Sequence, residues 1–336
     1  MTLLINDEEA RKVLSMEDFI ESVEDSYRQY GKGLAGGNHL RYGSPLLHRR
    51  ELVVEGKEFP HGDRRSKAIG QNMAYLEERK MAVLQHSFRL GNRNEAMWHL
   101  IDTHSGETLS IVKSRFISWN RTAADGAVAA KYLSRKDSKI AGIIGTGIQG
   151  KAQLRYLCKV RKIEKAFAHS GRRRDDEYAK EMNKELGIDI IASDKPEEVA
   201  RKADILVTAT RATSPIINGN WLTPGLHINS IGADDPSKAE LDFSTLKKAD
   251  KLVIDYELAL DTADIRNAIN QKVLKEDDIY GNIGEVVAGV KPGRENPKEI
   301  TIYRSTGLAI AYANIVAKTF EKSKKMGLGT ELQSPL

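Results

Sequence analysis

The chain has a single cysteine, Cys158, in 336 residues. One thiol excludes an internal disulfide and any zinc site built on cysteines, and it fits a reducing compartment. Cys158 falls on the stretch expected to form a helix after a glycine turn, with no paired histidine pattern, so it reads as a small buried side chain rather than a nucleophile. Long hydrophobic runs are also missing: none approaches the roughly 18 to 20 residues that span a bilayer. The opening Met-Thr-Leu-Leu-Ile-Asn-Asp-Glu-Glu has no basic stretch leading into an apolar core, so secretion is not expected and a cytoplasmic setting is. Neither sign of charge forms blocks. The formal net charge is +5, but lysines and arginines are interleaved with acids, which describes a solvated surface and not a nucleic-acid or membrane partner. No metal is called for, and internal repeats and low-complexity tracts are absent.

What remains is an ordinary globular composition, 40% hydrophobic and 29% charged, long enough for two domains with separate cores. The most informative stretch runs from Lys139 to Gln153. A short β-rich apolar segment enters Gly145-Thr146-Gly147-Ile148-Gln149-Gly150 and continues into a helix-like sequence. This is the Gly-x-Gly-x-x-Gly pattern of a dinucleotide cradle. Gly145 permits a tight turn, Gly147 lets backbone approach a pyrophosphate, and Gly150 lets the helix pack closely on the strand. The free N–H groups and positive dipole end of the helix beginning near Ile148 then face the phosphates.

From Lys139 onward apolar strands alternate with amphipathic helices, with strands expected at 140–144, 165–169, 188–191, 204–209, 227–231 and 251–255. That succession predicts a doubly wound parallel sheet. Its strand ends add Thr208, Ala209, Thr210, Ser230, Ile231 and Gly232 to the candidate cofactor contacts, and Thr122 precedes the first strand. The first 120 residues read as a separate α+β unit: a helix over 15–30, a glycine-rich break at Gly36-Gly37, and β-rich stretches around 52–54, 81–86 and 98–101. Helical periodicity returns over 307–326, after a strand-like run at 299–303, and this last helix is expected to pack back on the N-terminal unit. The fold class expected is therefore α/β, with a Rossmann-type doubly wound parallel sheet, residues 123–304, inserted in a discontinuous α+β substrate and dimerisation domain formed by 1–122 plus 305–336. The alternative is a simple C-terminal cap on the nucleotide domain.

An acid about 20 residues beyond the glycines would bind the ribose 2′-hydroxyl of NAD. Here the second strand ends in His169-Ser170-Gly171-Arg172-Arg173-Arg174. Ser170, Arg172 and Arg173 suit a 2′-phosphate, so NADP(H) is favoured over NAD(H), although Asp175 and Asp176 follow closely.

Further segments, in order, are Asn120-Arg121-Thr122-Ala123-Ala124, the run from Asn229 to Leu241 containing Gly232-Ala233-Asp234-Asp235-Pro236, Tyr280 to Gly289, Lys291-Pro292-Gly293-Arg294, and Ser305-Thr306-Gly307-Leu308-Ala309-Ile310. Together they resemble the ornithine cyclodeaminase and mu-crystallin family over about residues 95–331. The resemblance implies hydride exchange between a nicotinamide and the Cα of an amino acid or imine, and a homodimer built through the N-terminal unit. It places Asp234 at the family's catalytic aspartate, where the bland alternative is a turn aspartate before Pro236. Arg121 could hold a substrate carboxylate bidentately. Lys67 best fits the family's lysine, with a catalytic and substrate-binding role, and Arg41 its earlier arginine. Two departures stand out: the family's Gly-Leu-Pro segment is replaced by Met81-Ala82-Val83-Leu84-Gln85-His86, and Ala311-Tyr312 stands where an aspartate is usual. The first expectation is an oxidoreductase acting on the C–N bond of an amino acid, imine or N-carboxyalkyl amino acid; Arg41, His48, Arg49, Arg50, Arg64 and Arg65 would favour more than one carboxylate if they faced the substrate. Ornithine cyclodeaminase with internally recycled NAD and a non-catalytic ligand-binding protein are the alternatives.

Overall fold

The computed structural model describes residues 1–42, 67–90, 93–171 and 175–333, leaving aside the side chains of 37–42, 67–71, 88–90 and 93–94. The chain forms two compact units, one of Met1–Arg121 with Leu308–Leu336, the other of Thr122–Gly307.

The first unit begins with β1 (Thr2–Ile5), α1 (Asp7–Val13) and α2 (Met16–Gly31), followed by β2 (Ala35–Tyr42), β3 (Lys67–Leu76), β4 (Met81–Leu90), β5 (Arg93–Asp102) and β6 (Thr108–Lys113). Helix α3 (Arg115–Leu133) then carries the chain into the second unit. Ser15 starts α2 because its hydroxyl accepts from Asp18 N while Asp18 accepts from Ser15 N, a reciprocal cap that satisfies two orphan donors. Phe19, Val23 and Tyr27 recur at helical spacing and are buried.

The second unit contains β7 (Ile140–Ile144), α4 (Ile148–Val160), β8 (Lys165–His169), α5 (Asp175–Leu186), β9 (Asp189–Ala192), α6 (Pro196–Lys202), β10 (Ile205–Thr208), β11 (His227–Ser230), α7 (Phe243–Lys247), β12 (Lys251–Ile254), α8 (Ala263–Asn270), β13 (Ile279–Asn282), α9 (Ile283–Val287) and β14 (Thr301–Arg304). The chain returns to the first unit with α10 (Ile310–Lys325) and β15 (Thr330–Leu332). Helix α10 packs on α2, as expected for a returning helix: Asn314 Nδ2 donates to Asp25 and to Ser26 Oγ at 3.0 and 3.1 Å, and Lys322 donates to Asp18 at 2.6 Å. The sheet of this unit has the order β15-β1-β6-β5-β4-β3-β2, with β2 to β6 an antiparallel meander.

Gly36 and Gly37 lie inside β2, not in a break, because each is paired across the ladder, with Tyr75 and Ala74. Pairing with β3 outweighs the weak strand propensity of glycine. The stretch around 52–54 lies outside the described residues, as do His48, Arg49, Arg50, Arg64 and Arg65.

The other sheet is entirely parallel in the order β13-β12-β14-β11-β10-β7-β8-β9. All six expected strands are present, within a residue or two at their ends; β14 is inserted between β11 and β12, and β13 is added at the edge beyond β12. Every residue of β10, β11, β12 and β14 is buried, as it must be in a parallel sheet covered on both faces. The order reverses between β7 and β10, the switch point outside whose carboxyl ends open α/β sheets bind ligands.

A buried acid pair fixes the exit from β14. Asp255 accepts from the N–H groups of Tyr256, Thr306 and Gly307 at 2.9, 2.7 and 2.6 Å, while Asp125 accepts from Tyr303 and from Ser305 Oγ. Burial, and then the neighbouring Asp125 charge, push the Asp255 carboxyl up to about 6, against the opposing pull of those N–H groups. The folded state therefore holds this proton more tightly than the unfolded chain, and the contribution is lost as pH rises through the folded value. Relative to Asp255→Asn, the wild-type unfolding free energy should fall by about 3 kcal/mol between about pH 4 and pH 7. Denaturant titrations at stepped pH measure this; a pH-independent difference would show that Asp255 does not titrate in the fold.

Candidate functional site

Two of the three tasks suggested for the glycine turn are visible in backbone contacts, at Gly145 and Gly150. Gly145 has φ +105°, and a side chain there would strike the Ala209 carbonyl. A Cβ on Gly150 would run into the Gly145 carbonyl oxygen, so only glycine lets α4 close on β7. At Gly147 the opposite holds: a Cβ would find no atom within 4 Å. Gly147 is also the N-cap of α4 and supplies no side-chain cap, which leaves the positive end of the helix open over that space. The cradle fits a pyrophosphate. Ile148, 57% exposed, presents an apolar edge beside it.

The other candidate contacts gather on the same carboxyl edge of the parallel sheet. Gly145 N donates to His169 O, Ala209 N to Ile144 O, Ile231 and Gly232 N to Thr208 O, and Ser305 N to Ser230 O, all between 2.8 and 3.1 Å. Thr122 accepts Gln153 Nε2 at its carbonyl, 2.8 Å, tying α3 to α4. The residue organising this edge is one to which the sequence reading gave no role. Glu240, fully buried, accepts from Thr208 Oγ1, Thr210 N, Thr210 Oγ1, Ser230 Oγ and Gly232 N at 2.7–3.1 Å. Its position inside the quoted 229–241 run was the available signal.

Asp234 follows this node. Asp235 caps the turn, accepting from Ser237 N and Oγ at 2.8 and 2.5 Å. Asp234 instead pairs with Lys238, whose ammonium also lies 3.4 Å from Asp235. Burial works to lower the Lys238 pKa, but the charges and hydrogen bonds of Asp234 and Asp235 prevail and raise it. The Asp234 side chain is 45% exposed, open to a reactant.

At the end of β8, Asp175 is engaged by Ser170 N at 2.9 Å and Thr146 Oγ1 at 3.1 Å, joining the glycine turn to the second strand. A cleft here is lined by His169, Asp175, Asp176, Ser193 and Asp194 among others. Arg172 and Arg173 lie outside the described residues. Among the described residues no group of three potential metal ligands occurs, and no helix is long and apolar enough to cross a membrane. Burial pushes the Cys158 thiol up to about 11, keeping it protonated and unreactive at neutral pH.

In the first unit, Arg121 is buried on α3, its Nη2 donating to Tyr312 OH at 2.8 Å and its guanidinium carbon 4.4 Å from the Tyr312 ring centroid. The tyrosine at the position of the usual aspartate thus anchors the cation through a neutral group. Lys67 opens β3 opposite Leu90, and Arg41 in β2 lies opposite Gly70; both side chains are outside the described residues. The segment 81–86 that replaces Gly-Leu-Pro is the first half of β4 and carries a buried Gln85.

A parallel α/β sheet with a glycine cradle at its switch point and a carboxylate-organised strand edge defines a dinucleotide-binding protein. The profile of the ornithine cyclodeaminase/mu-crystallin family matches residues 6–325. Alanine dehydrogenase of Archaeoglobus fulgidus is 33% identical over 99% of this chain and 98% of its own length. The solved structure of Thermococcus litoralis Δ1-pyrroline-2-carboxylate reductase, in complex with NADH and L-proline, superposes with a TM-score of 0.87 at 35% identity, covering 98% of this chain and 100% of that one. An archaeal alanine dehydrogenase dimer with bound NAD gives 0.86 at 31% identity, over 99% of each chain. The chain belongs to the ornithine cyclodeaminase/mu-crystallin family.

The two glycines separate binding from folding. Gly147→Ala should weaken NADH and NADPH roughly tenfold or more while leaving unfolding stability within about 1 kcal/mol. Gly150→Ala should cost about 1–3 kcal/mol of stability by overpacking. Calorimetric cofactor titration and denaturant unfolding of both variants measure this; unchanged affinity in Gly147→Ala would remove the pyrophosphate from this turn.

Proposed function

We propose that this protein is a nicotinamide-dependent oxidoreductase acting on the C–N bond of an α-amino acid or its imine. The observation that carries the reading is the open Gly147 cradle, in a chain whose relatives named above act on alanine or a cyclic imino acid. When bound, the nicotinamide gives or accepts a hydride at the substrate carbon. The chain's own residues supply the rest. Arg121, whose Nη2 donates to the Tyr312 phenol, is the candidate to hold the substrate carboxylate. Asp234, paired with Lys238, stabilises the iminium and moves a proton to or from nitrogen or water. Lys67 and Arg41 are further candidates, Lys67 for catalysis and both for the substrate carboxylate.

NADP(H) is favoured over NAD(H). Ser170, Arg172 and Arg173 stand where an acid would read a ribose hydroxyl, and Asp175 is already engaged by Ser170 and Thr146. The carboxylates of the cleft at the end of β8 pull the other way, since ribose hydroxyls donate well to Asp175, Asp176 or Asp194. A cytoplasmic homodimer is part of the same reading; a related alanine dehydrogenase is a dimer.

Two experiments test these assignments. Asp234→Asn should lower kcat by roughly 100-fold or more with cofactor affinity unchanged; undiminished turnover would take Asp234 out of the mechanism. The double substitution Arg172→Ala, Arg173→Ala should raise KM for NADPH by about tenfold more than for NADH. An equal effect on both would leave the 2′-phosphate without these readers.

A further inference from the structure

In an open α/β sheet the two halves of a dinucleotide fall on opposite sides of the switch point, here between β7 and β10. The turn after β7 fits the pyrophosphate, and the end of β8, where Ser170 N donates to Asp175, is the place that reads the adenosine ribose. The other half of the cofactor then belongs over the ends of β10, β11 and β14. Thr208, Ser230 and Arg304 close these three strands in one register row.

Glu240 is bonded to that row and is fully buried. Its donors are the hydroxyls of Thr208, Thr210 and Ser230 and the N–H groups of Thr210 and Gly232, all of them neutral. Each carboxyl oxygen takes one of the two N–H groups, as an acceptor-only, ionised carboxyl requires. Among the described residues Glu240 makes no ion pair. The cations of the segment are engaged elsewhere: Arg304 pairs with Asp264, both side chains fully buried, and Lys238 lies between Asp234 and Asp235. Neutral donors stabilise a buried charge without cancelling it, and salt screens it little.

We propose that Glu240 tunes the cofactor, its uncompensated charge favouring the oxidised, cationic nicotinamide over the reduced, neutral one. The inference rests on the nicotinamide reading proposed above. Being buried among the strand ends it holds, Glu240 acts through them and through its field, as a positioning and electrostatic residue. By linkage, a site that binds the oxidised form more tightly makes the reduced form a stronger hydride donor there than in water. The favoured direction is reduction of an imine to an amine.

Calorimetric titration with NADP+ and NADPH, repeated with NAD+ and NADH, gives the ratio of the two affinities. Glu240→Gln keeps the shape and removes the charge. It also turns an amide N–H towards a backbone N–H, a loss that falls on both forms and cancels in the ratio. The ratio should move about fivefold or more towards the reduced form. Arg304→Met, which uncovers the Asp264 charge, should move it the other way, and a merely structural role does not produce opposite shifts. Unchanged affinity for ADP, which needs only the glycine turn and the end of β8, marks an intact fold. An unchanged ratio in Glu240→Gln, a shift towards the oxidised form, or a shift of the same sign in both variants overturns the proposal. Where neither variant folds, the wild type decides: binding of the oxidised form at least as tightly as the reduced supports the proposal, and preference for the reduced form overturns it. Hydride transfer followed in the same samples, with a 2-oxo acid and an amine, separates the two readings. Opposite shifts without nicotinamide oxidation leave the role of Glu240 standing and defeat the reaction; no binding of any of the dinucleotides defeats both.

Discussion

A buried carboxylate holds the business edge of the parallel sheet together. Glu240 takes hydrogen bonds from the ends of β10 and β11 and from the loops that leave them, through Thr208, Thr210, Ser230 and Gly232. Its own N–H donates to Asp264 at 3.0 Å, and Asp264 pairs with Arg304 at the end of β14. Removing a carboxylate from water is costly unless several donors replace the solvent, and here the donors are the strand termini themselves. The same bonds that satisfy Glu240 set where the loops after β10 and β11 lie, and the Gly145 turn packs against Ala209 in the first of them. The cradle and the approach to Asp234 both inherit their geometry from this node.

The parallel sheet was readable in the sequence because each of its strands is a short apolar run between amphipathic helices, and because glycine at 145 and 150 is demanded by backbone contacts rather than by a ligand alone. The weaker β13 escaped because Ile-Tyr-Gly-Asn is short, half-exposed and carries a glycine. The glycines of β2 misled for the opposite reason: composition suggested a break, whereas pairing with β3, decided 30 residues and more away, made a strand. Local propensity loses to tertiary pairing in such places.

Site residues divide the same way. The candidate residues Gly145, Gly147, Gly150, Arg121 and Asp234 sit in compact motifs, which is why a single sequence can name them. Glu240 was inside a quoted motif but drew no role, since nothing local announces that its carboxylate turns inward to the ends of β10 and β11. Tyr312 was visible as a departure from the family pattern, yet its meaning needed the structure: it keeps the orientation of Arg121 while adding no negative charge.

The central claim is that this chain moves a hydride between a nicotinamide and the carbon of a C–N bond. The direct measurement uses NADPH dideuterated at C4 with a 2-oxo acid and an amine donor, followed by mass spectrometry of the amino-acid product. The account predicts one deuterium at Cα for each nicotinamide oxidised. Product without deuterium, or ammonia released from a diamine with no net oxidation of nicotinamide, would contradict it.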